Sequence, residues 1–142
     1  MDKKELTNQL IEIMLSDLAS ETDDARNFVA EALGKIKELR AVPILINILI
    51  QTPRLNATNA LVDIGDPVVP QLIDIATGTN KDEDLCRPRA IKILGEIGDF
   101  RAMAPLIKIA KNKERPKPER VTALMACVSI AKKCGVAPFD QL

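Results

Sequence analysis

One helical phrase recurs four times along the chain, and its clearest copy runs from Arg87 through Leu94-Gly95-Glu-Ile-Gly98-Asp99 to Ile109-Ala110. A shift of 61 positions lays Gly95 on Gly34, Leu94 on Leu33, Arg87 on Arg26 and Arg101-Ala102 on Arg40-Ala41 without a gap. A shift of 33 lays Arg87 on Arg54 and Ile97-Gly98-Asp99 on Ile64-Gly65-Asp66 in one direction, and Arg87 on Arg120 in the other. Self-similarity at this period belongs to stacked supersecondary units, each of which buries its apolar face only against its neighbours. Most of the apolar content is thereby committed to packing.

Each copy reads as a helix, a short Gly/Asp or basic turn, and a second helix opening near a proline such as Pro43, Pro70 or Pro105. Proline suits the first turn of a helix, where an N–H has no intrahelical acceptor. The first helices carry alanines at crowded positions. The second helices carry a Leu-Ile-x-Ile pattern at Leu45, Leu72 and Leu106, whose spacing gives one apolar stripe per helix. The same pattern at Leu10-Ile11-Glu12-Ile13 predicts that the opening segment is a second helix without its partner. The predicted organisation is a single domain, 1–142, with a half repeat at about 5–20 and repeats at about 23–51, 53–78, 84–112 and 118–142. Asp23, Asp24 and Asp84 are predicted helix caps, and Pro118 is predicted to open the last helix.

Composition narrows the chemistry. The chain has no His, Trp or Tyr and three Phe, which removes imidazole-based triads and metal sites and leaves only phenylalanine to stack bases. Cys86, Cys127 and Cys134 make no Cys-x-x-Cys pair and read as small apolar residues rather than as a disulfide framework or zinc site. No cofactor or metal is expected. No apolar run approaches the roughly 18 residues of a membrane span, and a cytoplasmic location is expected.

With its Arg-x-x-Ala-x-x-x-Leu-Gly and Arg40-Ala41-Val42-Pro43 elements, the chain resembles HEAT repeats, specifically the short kind of phycobilisome (PBS) lyase HEAT-like proteins, over roughly residues 7–142. The resemblance implies an all-α fold, an α-α superhelix or α-solenoid of about four short helical hairpins. It also implies that second helices line a concave surface where partners bind. Two enzymatic branches do not carry over: the di-iron site of deoxyhypusine hydroxylases needs His-Glu pairs, and HEAT-like DNA glycosylases use Trp and Tyr. The function expected is a non-catalytic protein-interaction scaffold or adaptor. The alternative is an accessory factor resembling bilin lyases, handling a chromophore or prosthetic group on a client protein.

On that reading, the polar position between the apolar pairs of the second helices forms a ladder of Glu12, Asn47, Asp74 and Lys108, continued one turn on by Asn112 and flanked by Lys111. Leu15, Ile44 and Ile50 depart from the pattern and are expected to add an apolar patch. Residues 1–71 carry 7 basic and 11 acidic groups and residues 72–142 carry 13 and 9, so the charge is strongly divided while the net charge is zero. An unidentified protein partner is therefore expected, and nucleic acid is disfavoured. The recurrent arginines read as structural ties to nearby acids such as Asp24, Asp84 and Glu119. Because the fourth copy has barely begun its second helix, Met125, Val128 and Ile130 are expected to be less protected than their equivalents, with Phe139 and Leu142 folding back as a cap, a homodimer forming through this end, or a partner completing it.

Overall fold

The structure, a computed structural model, describes residues 1–20, 26–51 and 55–142, the last segment with side chains from Ala57 onward. The expected caps Asp23 and Asp24, and Arg54, lie outside the described residues. Eight α-helices and no strand occur among the described residues, and the chain divides into two compact units, residues 1–64 and 65–142. The protein is all-α.

The first unit contains α1 (Lys3–Ala19), α2 (Arg26–Lys35), α3 (Val42–Gln51) and α4 (Leu55–Ile64). Helix α1 begins two residues before the predicted half repeat because the Asp2 carboxylate accepts the Glu5 N–H at 2.8 Å and caps it. A 3-10 turn at Leu39–Ala41 leads into α3, and Pro43 sits in the first turn, as predicted. Helix α2 packs on α1 and α4, and α3 packs on α4, around buried Leu18, Leu33, Leu45, Leu49 and Leu61.

The second unit contains α5 (Val69–Thr77), α6 (Arg87–Ile97), α7 (Met103–Lys111) and α8 (Lys117–Lys133), and repeats the second-first-second-first order of helices. Its core is formed by Leu72, Ile91, Leu94, Leu106 and Ile130. Helix α6 ends at Gly98, whose φ of 78° lets its N–H turn back onto the Leu94 carbonyl. The same cap position in the first unit, 61 residues earlier, holds Lys37 at a φ of 55°.

Within each unit the two first helices meet through a glycine and an alanine. A Cβ at Gly34 would lie 2.6 Å from the Ala60 Cα, and one at Gly95 would lie 2.9 Å from the Ala126 Cα. No side chain larger than hydrogen fits at either place without moving a backbone. The equivalent positions of α4 and α8 are Val62 and Val128, so the close approach occurs once in each unit.

Two expectations need correction. Asp84 does not cap α6: that helix starts after Cys86, and the Asp84 carboxylate is taken by the Arg87 guanidinium at 2.6 Å. Ile130 is fully buried rather than less protected, whereas Met125 is exposed and Val128 half-buried. The 3-10 turn at Phe139–Gln141 packs against α8, while Leu142 stays exposed, so the fold-back is partial.

Candidate functional site: the recess between α5 and α7

The last carbonyls of a helix lack intrahelical donors, and a cation placed beside them also answers the negative end of the helix dipole. At the end of α5 this cation is Arg115, from the α7–α8 loop. Its guanidinium donates to the Ala76, Thr77 and Gly78 carbonyls at 3.3, 2.7 and 3.1 Å. Arg115 also reaches the Glu119 carboxylate at 3.4 Å.

Glu119 is buried, and its other oxygen accepts from Arg87 at 3.2 Å. Arg87, also buried, donates further to the carbonyls of Ile75 at 3.2 Å and Asn80 at 2.9 Å. Arg87, Asp84, Glu119 and Arg115 thus form one network that fixes the end of α5 against the starts of α6 and α8. Burial opposes the charge of Arg87, but its hydrogen bonds to the Asp84 and Glu119 carboxylates outweigh it and hold its pKa above the ordinary value. No buried side-chain nitrogen or oxygen among the described residues is without a hydrogen-bond partner. In the first unit, Arg26 donates to the Leu18 carbonyl at 3.1 Å, a tie to backbone, while its expected acidic partner Asp24 lies outside the described residues.

The network walls a recess of about 440 Å³ lined by Thr77, Ala104, Pro105, Lys108, Ile109, Asn112 and Arg115. Its floor is apolar, from Ala104, Pro105 and Ile109. Its rim carries polar groups whose orientation is fixed locally: the Thr77 hydroxyl donates to the Ile73 carbonyl at 2.8 Å, and the Asn112 side-chain oxygen accepts the Glu114 N–H at 3.0 Å. Lys108 makes no ion pair among the described residues, so its ammonium is available to a ligand. Two smaller recesses, each of about 340 Å³, follow the glycine–alanine seams, one beside Glu31, Asn59 and Asp63 and the other beside Lys92, Glu96 and Met125.

A second brace positions the second helices. Before α7 the Asp99 carboxylate accepts the Arg101 N–H at 2.8 Å and both ends of its guanidinium at 3.0 and 2.7 Å, and Arg101 also reaches the Asp66 carbonyl at 3.2 Å. Glu38 and Arg40 form the equivalent pair before α3, with contacts at 3.2, 2.8 and 3.4 Å. The Arg101 hydrogen bonds hold the Asp99 carboxyl below its ordinary pKa, and those of Arg40 do the same for Glu38.

Of the residues singled out from sequence, the recess takes in Lys108 and Asn112. Lys111 and Asp74 are exposed on α7 and α5, and Glu12 and Asn47 are exposed on α1 and α3 of the first unit. Leu15, Ile44 and Ile50 are half-buried, neither core nor open patch. Sequence reasoning missed Arg115, which caps a helix 38 residues away from it through Thr77 and leaves no local signal of that role. Thr77, Ala104, Pro105 and Ile109 were legible only as repeat positions.

An all-α chain in which hairpins recur and first helices stack through small residues is a helical-repeat protein. Residues 25–51, containing α2, its 3-10 turn and α3, match the family of the PBS lyase HEAT-like repeat. Among curated proteins none matches the chain. No helix among the described residues is long and apolar enough to cross a membrane.

Proposed function

We propose that the chain is a non-catalytic protein-binding module of the cytoplasm, which holds an extended acidic segment of a partner in the recess between α5 and α7. The observation that carries this reading is the recess itself. It combines apolar Ala104, Pro105 and Ile109 with Lys108, which has no ion pair among the described residues, and the fixed polar groups of Thr77 and Asn112. Such a surface suits a peptide that alternates acidic and small apolar side chains.

The thiol chemistry supports a binding role over catalysis. Burial pushes the Cys86 and Cys127 thiols up, away from the thiolate form that attacks substrates. The exposed Cys134 donates to the Gly98 carbonyl at 3.3 Å. Three free cysteines also suit a reducing compartment. Equal numbers of basic and acidic residues, 20 each, favour a protein partner over a nucleic acid.

The test compares capture from native lysate by the wild type, by Lys108→Glu/Lys111→Glu, and by Glu31→Lys on the seam of the first unit. A protein held by the wild type and by Glu31→Lys, but lost by the folded double variant, supports the recess as the binding site. Equal capture by all three removes it.

A further inference from the structure

Leu6, Leu10 and Ile13 of α1 map by a shift of 62 onto Val68, Leu72 and Ile75, at and within α5. Spaced by four and then three residues, such positions share one helix face. At α5 they are 0, 0 and 5% exposed, and the equivalents Ala41, Leu45 and Ile48 at α3 and Ala102, Leu106 and Ile109 at α7 are buried too. On α1 the same three positions are 51, 57 and 61% exposed. Helix α1 therefore turns outward the stripe that the other second helices bury.

Helix α8 shows the converse. Leu124 is 59% exposed, whereas Ile91, its equivalent on α6, is 0% exposed. Met125 is 67% exposed and occupies the position held by Glu31, Asn59 and Lys92 in the other first helices. Val121, one turn earlier, is exposed as well. Polar residues would cost nothing at these places, so the apolar ones ask for a cover.

Among the described residues, α1 is a second helix whose stripe carries no first helix, and α8 is a first helix whose outer face carries no second helix. They are the two halves of a hairpin. Their units also differ in charge: residues 1–64 carry 7 basic and 10 acidic groups, and residues 65–142 carry 13 and 10. Helix α1 carries Glu5, Glu12 and Asp17 beside Lys3 and Lys4, whereas the exposed charges of α8 are Lys117, Lys132 and Lys133.

We propose that the Leu6/Leu10/Ile13 stripe of α1 seats on the Val121/Leu124/Met125 face of α8 of a second copy of this chain. The net charges of the two units are then opposite across the junction, whereas pairing two α8 faces would bring like charges together. The contact is heterologous, so each added copy leaves one α1 and one α8 free and association continues as a ring or an open chain. This inference is independent of the recess between α5 and α7.

Sedimentation velocity across a wide concentration range tests it, with the full chain and with Leu10→Glu and Leu124→Glu, both at exposed positions. The wild type should grow beyond two copies as concentration rises. Each variant alone should associate more than about tenfold more weakly, because its charge is buried unpaired at the junction. An equimolar mixture of the two should recover one intact junction, Leu124 of the first variant against Leu10 of the second, and stop at two copies. That recovery also shows that both variants are folded. A wild type that stays monomeric, a Leu10→Glu variant that associates as well as the wild type, or a mixture that fails to pair would each overturn the proposal.

Discussion

The Arg87 guanidinium meets the Glu119 carboxylate at 3.2 Å across 32 residues of sequence, with both side chains buried. Removing one partner of a buried pair leaves the other charge without compensation, which typically costs about 3–5 kcal/mol. Glu119→Ala also strips Arg115 of its carboxylate contact and loosens the wall of the recess. Urea denaturation should therefore place Glu119→Ala about 3 kcal/mol or more below the wild type. A loss under about 1 kcal/mol would mean that the network contributes no more than a surface pair.

The glycine–alanine seams give a second expectation. Alanine in place of a helical glycine normally gains up to about 1 kcal/mol of propensity. At Gly95 the added Cβ would meet the Ala126 Cα and Cβ, both at 2.9 Å, so overpacking should reverse the sign and cost about 1–3 kcal/mol. Adding Ala126→Gly should return part of the loss, and a thermodynamic cycle on the two positions measures that coupling. Strict additivity would contradict direct contact between α6 and α8 at this point.

Asp99 supplies a pH expectation. The Arg101 hydrogen bonds set its folded pKa below the unfolded value of about 3.9. The unfolded state then binds the proton more readily, so the stabilisation is complete above the unfolded pKa and is lost as pH falls through the folded one. Carbon-detected NMR titration should show the Asp99 carboxyl protonating below ordinary aspartates. The stability deficit of Asp99→Asn at neutral pH should shrink on acidification. An ordinary or raised pKa would break the account of the brace before α7.

Lys37 occupies the left-handed position that Gly98 occupies in the second unit. A non-glycine residue there costs roughly 1 kcal/mol. Its ammonium donates to the Asp63 carbonyl at 2.6 Å, an exposed contact that offsets part of this. Lys37→Gly should leave the fold intact and raise Tm by a few degrees, about 0.5 kcal/mol or more at this chain length. A fall in Tm would mean that the tie to α4 outweighs the backbone strain.

The helices and their pairing were legible in the sequence because the repeat signals are local. Prolines near the first turns of the second helices, alanines at the seams and the Leu-Ile-x-Ile pattern each act within a few residues. Periodicity reports that a face is apolar, not what covers it. Leu10 and Leu72 therefore look alike in sequence and differ completely in exposure. The recurrence of Arg26 and Arg87 correctly suggested a structural role, and Glu119 was among the acids expected to pair. Lys108 and Asn112 were singled out in the sequence as ladder positions, and both line the recess. Arg115 was not, because its hydrogen bonds run to backbone carbonyls, which no side-chain pattern encodes.

Hydrogen exchange on the captured complex is the most direct measurement of the recess. Exchange would be compared for the free protein and for the protein with its partner bound, segment by segment. The expected result is slowed exchange across residues 103–115 and the end of α5 around Thr77, with the first unit unchanged at Glu12 and Asn47. Protection confined to the first unit, or to α1 and the outer face of α8, would contradict binding between α5 and α7.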